Sequence, residues 1–173
     1  SAGVLTTNNI TARANGTVAL MSKGTLTSAG AITGGNVSMN STAGSISNSA
    51  NLTANGTLTL AAASTGAITT TAASKAVSTG NLSYVAGTVT SNGDVTAANV
   101  SMAASAGAMS TANITTTGNG AIALVSSGNL ATTGAITGGA VTMKSTAGNV
   151  LSQAVVNANG ALAIESTTGA VSL

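Results

Sequence analysis

The sequence contains no cysteine, proline, histidine, tryptophan or phenylalanine, and Tyr84 is its single aromatic residue. Without cysteine there are no disulfides and no thiolate metal sites, which fits either an extracellular bacterial protein or a reducing compartment. Without histidine a Ser-His-Asp triad and an imidazole-bound metal are also excluded. Charge is scarce: Arg13, Lys23, Lys75 and Lys144 stand against Asp94 and Glu165, for a net +2. Four scattered cations form no basic patch, so nucleic acid is not an expected partner. The two carboxylates are 71 residues apart in sequence; in a chain that coils every ~21 residues at ~4.8 Å per coil they would lie ~15 Å apart along the axis, beyond either glycosidase geometry. Calcium-binding nonapeptide repeats need an Asp in every turn, and Asp94 is alone. No phosphate-loop motif occurs, so TGNGA (117–121) and TGG (33–35 and 137–139) read as chain corners. No catalysis, cofactor or metal is therefore expected. A bilayer span needs about 18 consecutive apolar residues, which the chain lacks, so membrane insertion is not expected either. The opening SAGVLTTNN is not a signal peptide, which places any export signal outside this segment.

What the chain does have is glycine, small polar residues, aliphatics and a repeat. Shifted by 104 residues, ITARANGTVALMSKGTLTSAGAITGGNVSMNSTAG (10–44) falls on ITTTGNGAIALVSSGNLATTGAITGGAVTMKSTAG (114–148). The duplication covers 10–60 and 114–164, and a second shift of 63 places 24–44 on 87–107. Both shifts are near-multiples of 21, a period that points to a solenoid.

Cut at that period, the aliphatics form three columns. One runs from Val18 through Val37, Leu58, Leu82, Val100, Ile122 and Val141 to Leu162, each followed two residues later by a second large side chain such as Leu20, Met39 or Tyr84. A second runs from Leu26 through Ile46 and Ile68 to Val171. The third holds Ile10, Ile32, Leu52, Val77, Val95, Ile114, Ile136 and Val156. The i, i+2 pairing is the period of a strand with one buried face. The Gly- and Asn-rich strings between columns are read as supplying positive φ at sharp corners.

The chain is therefore expected to be all-β: a right-handed parallel β-helix of about eight coils of ~21 residues, three short strands per coil, forming a single segment over 1–173. The expected interior is aliphatic with Ala as filler, and Thr and Ser at alternate strand positions face water. An insertion near residues 70–80 breaks the spacing. Because a one-residue slip reverses a side chain's face, Tyr84 reads equally well as inside a widened coil or turned outward. Arg13, Lys23, Lys144 and Glu165 are expected at or near corners as solvated groups. Nine asparagines occupy N-x-[ST] patterns: Asn9, Asn15, Asn36, Asn40, Asn51, Asn55, Asn81, Asn99 and Asn113. They are glycosylation candidates, though corner and ladder roles weigh more heavily. Thr-x-Thr strings at 57–59, 69–71 and 115–117 do not recur at one column, so no flat threonine array is expected. The last strand, GAVSL (169–173), carries no polar cap, and the expectation is that further coils follow or that copies stack end to end.

Strings such as GNVSMNSTAGSIS, GTLTLAAASTGAI and GNLATTGAITGG resemble the filamentous haemagglutinin-like repeat region of two-partner-secretion exoproteins and adhesins. The resemblance rests on repeat style over nearly the whole chain. It implies a right-handed β-helix, export across a Gram-negative outer membrane through a partner β-barrel transporter, and a cell-surface or secreted location. It also implies asparagine glycosylation in some members, and a role in adhesion or in holding a terminal effector away from the cell. The family's N-terminal secretion domain is not among these residues. The expected function is the structural shaft of a surface adhesin whose host or bacterial receptor the sequence does not name. A self-assembling extracellular filament or sheath subunit is the alternative, and a glycan- or ice-binding solenoid a minor one.

Overall fold

The computed structural model describes residues 3–173, which form strands, turns and bends with no helix. The chain visits three parallel sheets in strict rotation. Sheet I holds nine strands, from Leu5–Thr7 to Val171–Ser172; sheet II holds eight, from Ile10–Thr11 to Val156–Ala158; sheet III holds eight, from Val18–Ser22 to Leu162–Ser166. One strand from each sheet makes one coil, and every strand pairs only with its counterparts one coil above and below. This is a β-solenoid of eight coils, three strands per coil, with a ninth sheet I strand after them.

Register follows the aliphatic ladders. Leu26, Ile46, Ile68 and Val89 stack in sheet I, and Val37, Leu58, Leu82 and Val100 stack in sheet III. Their side chains are fully or almost fully buried. Each such burial contributes about 1.5–3 kcal/mol, so the ladders are the main stabilising term. A strand of three to five residues has no other way to bury apolar area than by stacking on its neighbours.

The interior differs from the expectation in two respects and decides a third that was open. First, the third column passes through Ala76: Ala76 pairs with both Leu52 and Val95, while Val77 points outward with 38% exposure. The insertion Thr71–Lys75 lets two adjacent apolar positions compete for the column, and the smaller one goes inside. Second, Tyr84 is completely buried, stacked between Leu60 and Met102. The same coil carries Ala76 where neighbouring coils carry Leu52 and Val95, so loss of bulk on sheet II accompanies the ring on sheet III. Third, the interior is not wholly aliphatic. The last inward position of sheet I is polar in every coil: Thr7, Ser28, Asn48, Thr70, Ser91, Thr111, Thr132 and Ser152 stack in register.

The corners differ too. Positive φ is confined to Ala14, Asn15, Gly118 and Asn119 among the described residues, so most corner glycines do not supply it. They are present because a neighbouring coil occupies the space of a side chain. A Cβ on Gly35 would lie 1.9 Å from the Asn15 carbonyl oxygen, and one on Gly120 would lie 1.5 Å from that of Ala98.

Candidate functional site

The feature most nearly resembling a built site is the asparagine system on the corners. Asn9, Asn36, Asn51, Asn99 and Asn113 each turn their Oδ1 along the axis to accept a backbone N–H from the next coil, from Ala31, Thr57, Lys75, Ala121 and Ala135, at 2.8–2.9 Å. Asn129 and Asn149 do the same for Asn149 and Ala170 at 2.8 Å, without an N-x-[ST] pattern. These carbonyls replace strand hydrogen bonds where the backbone turns away from the ladder. The amide nitrogens link further: Asn99 donates to Asn81 Oδ1 and Asn113 to Asp94 Oδ1, both at 2.9 Å.

This arrangement explains most of the N-x-[ST] patterns. A corner asparagine precedes an inward aliphatic, and the next outward position carries a hydroxyl, as in Asn9-Ile10-Thr11, Asn51-Leu52-Thr53 and Asn99-Val100-Ser101. The pattern is thus a product of strand alternation. Asn15 and Asn55, which precede glycine, do not follow this scheme, and neither does Asn40, which lies within the strand Val37–Ser41 on the outer face of sheet III, half-buried.

Two asparagine pairs span a whole coil. Asn55 Nδ2 donates to Asn15 Oδ1 at 2.8 Å, and Asn159 Nδ2 donates to Asn119 Oδ1 at 2.7 Å. Between the members of each pair lies a Gly-Gly corner, 34–35 in one and 138–139 in the other. A Cβ on Gly139 would lie 1.9 Å from the Asn119 carbonyl oxygen, so only glycine lets the amides meet across it. The repeated TGG strings are the gaps in these two clasps, which stand at equivalent places in the duplicated halves.

The charged residues do not converge. Arg13 and Lys23 sit at corners, but Lys144 and Glu165 lie within sheet III strands, paired in register and joined at 3.0 Å. Outward alternation puts them on the strand face, and the register brings opposite charges together. Among the described residues no group of three His, Cys, Asp or Glu could hold a metal, and no helix is long and apolar enough to cross a membrane.

The outer faces carry the Thr and Ser of alternate strand positions as continuous rows along the axis. On sheet II, Thr11, Thr33, Thr53, Thr96, Thr115 and Thr137 stack in register, interrupted by Val77. On sheet I, Thr6, Thr27, Ser47, Thr69, Thr90 and Ser110 do the same. The Thr-x-Thr strings at 57–59, 69–71 and 115–117 fall on three different sheets and do not share a column, but single threonines from successive coils do line up. Corners of one to six residues shift the spacing in sequence, while the ladder restores it in space.

Inside, the polar column is partly satisfied. Ser28, Asn48 and Ser152 donate to carbonyls two residues on, of Gly30, Ala50 and Ala154, at 3.0, 2.6 and 2.8 Å. Thr132 and Ser152 share a hydroxyl contact of 2.8 Å. Ser91 Oγ, Thr111 Oγ1 and the Tyr84 hydroxyl are buried without a hydrogen-bond partner. Burial also pushes the Tyr84 phenol well above its ordinary pKa.

No family model, curated protein or solved structure matches the chain.

Proposed function

We propose that this segment is a non-catalytic structural shaft of a secreted, surface-associated bacterial adhesin or exoprotein, exported through an outer-membrane transporter. The observation that carries the reading is the unbroken three-sheet ladder, in which each strand pairs only with its counterparts in the adjacent coils. Such a rod sets a distance, and its length scales with coil number. The style of the repeats supports the adhesin context. The test is deletion of residues 10–113, which removes five coils and rejoins equivalent corners. Small-angle scattering should report a folded rod shorter by ~24 Å at the strand spacing. Collapse of the remainder would overturn the shaft reading. Electron microscopy of the undeleted polypeptide separates single rods from end-to-end filaments, the alternative role.

A second reading, binding of a glycan or of ice by the solenoid face, is favoured by the threonine row on sheet II. Its side chains repeat every ~4.8 Å along the axis. Ice-shaping and glycan-array assays, compared between the parent and Thr53→Lys with Thr115→Lys, decide it: no response from the parent removes this reading.

A further inference from the structure

Five Asn-Gly pairs lie on the corners: Asn15-Gly16, Asn55-Gly56, Asn92-Gly93, Asn119-Gly120 and Asn159-Gly160. All five asparagines are exposed, whereas of the glycines that follow them Gly93 alone is buried, so base reaches its N–H only as the corner opens and solvent access does not single out Asn92. Their hydrogen bonding does. Asn15 with Asn55, and Asn119 with Asn159, are held amide to amide in the two clasps. Three of the following glycine N–H groups are also engaged, donating from Gly16 to Arg13, from Gly120 to Thr117 and from Gly160 to Gly139 at 3.0, 3.3 and 2.8 Å. The Asn92 side chain and the Gly93 N–H make no such bond within the described residues. Their corner stacks on the insertion Thr71–Lys75, whose Thr71, Ala72 and Ala73 are exposed, so it rests on the least regular support in the rod.

We propose that Asn92 is the site of spontaneous covalent modification in this protein, by deamidation, and that the two asparagine clasps protect the other four pairs. Glycine lacks the Cβ that would hinder attack by its own nitrogen, which is why Asn-Gly pairs react at all. The Gly93 amide nitrogen, deprotonated by solvent base, forms a bond to Asn92 Cγ while the Cγ–Nδ2 bond breaks and ammonia leaves. One water then opens the five-membered imide at either carbonyl, giving aspartate or isoaspartate. The balance is one water consumed and one ammonia released, with no oxidation or reduction. The product places a carboxylate two residues from Asp94, and the isoaspartate form lengthens the backbone just before Val95 enters sheet II.

Peptide mapping by mass spectrometry, after incubating the folded chain at mildly alkaline pH, tests this. Asn92 should convert at least about fivefold faster than any clasped asparagine, the factor expected from one net side-chain hydrogen bond. In denaturant all five should convert at similar rates. In Asn55→Ala, Asn15 should become labile, and in Asn159→Ala, Asn119 should, with circular dichroism confirming that each variant remains folded. Equal conversion of all five sites in the folded protein would overturn the proposal. So would clasp variants that leave Asn15 and Asn119 as stable as before.

Discussion

Replacing Gly139 with alanine separates two explanations of a corner glycine, and Gly118 provides the matched control. Gly139 does not adopt positive φ, so its backbone suits any residue, but the new Cβ would stand 1.9 Å from the Asn119 carbonyl oxygen and 2.6 Å from its carbon. Those atoms are backbone and cannot swing aside. Relief requires the coils to part by roughly 1.5 Å, against a normal separation of ~4.8 Å. Two axial hydrogen bonds flank the site, Gly139 to Gly120 and Gly160 to Gly139, each 2.8 Å, and neither survives that displacement. The loss is about 3–5 kcal/mol, from broken bonds and buried groups left unpaired. Gly118 is the reverse case: its φ is +64°, and nothing lies within 4 Å of the point where a Cβ would stand. Gly118→Ala should therefore cost only about 1–2 kcal/mol, the left-handed backbone penalty. Urea unfolding followed by circular dichroism gives the ranking. Hydrogen exchange adds location, because in a nearest-neighbour array a fault at Gly139 should deprotect the coils beyond it first. A Gly118→Ala variant as damaged as Gly139→Ala would refute the close-approach argument.

Three further outcomes follow from which side chains are buried. The Tyr84 phenol stays protonated in the fold, whereas in the unfolded chain it ionises near its ordinary value of 10.0; stability is therefore intact below pH 10.0 and lost as pH rises past it. Tyr84→Phe should abolish that alkaline loss, and urea titrations of both proteins between neutral and alkaline pH would expose an error if the two curves fell in parallel. Thr111→Val removes a buried hydroxyl that has no partner, so it should leave the urea midpoint unchanged or raise stability by up to about 1 kcal/mol; a clear loss would mean the hydroxyl is bonded. Met21 is 71% exposed while Met39, Met102, Met109 and Met143 are buried, so mild peroxide should oxidise Met21 alone, as peptide mapping would show.

The coil was legible because large aliphatics have one place to go, and their columns appear as soon as the period is known. Val77 escaped correct placement because Ala76 and Val77 follow an insertion of free length, where spacing no longer fixes the face and only packing against Leu52 and Val95 does. The buried hydroxyl column was illegible for another reason: Ser28 and Thr27 are adjacent and chemically alike, and nothing in a serine says whether it points in or out. Ser28, Asn48 and Ser152 are accommodated because a short corner offers a carbonyl two residues on. The clasps were visible only as the oddly repeated TGG, since a contact between residues 15 and 55 skips an entire period. Corner glycines carried a correct signal with the wrong cause, crowding by the next coil rather than torsional freedom.

The hydrogen bonds between coils run along the axis, and this fixes how the molecule carries load. A pull along the rod is shared by three sheets at each interface, while the interfaces themselves bear the same force one after another, so the weakest yields first. When one gives way, a coil of ~21 residues releases on the order of 70 Å of chain while its neighbours stay closed. The material is thus extensible in steps and tough, dissipating work one coil at a time. The bonds from Asn15 to Asn55 and from Asn119 to Asn159 each cross two interfaces, and act as stitches that direct the first tear elsewhere.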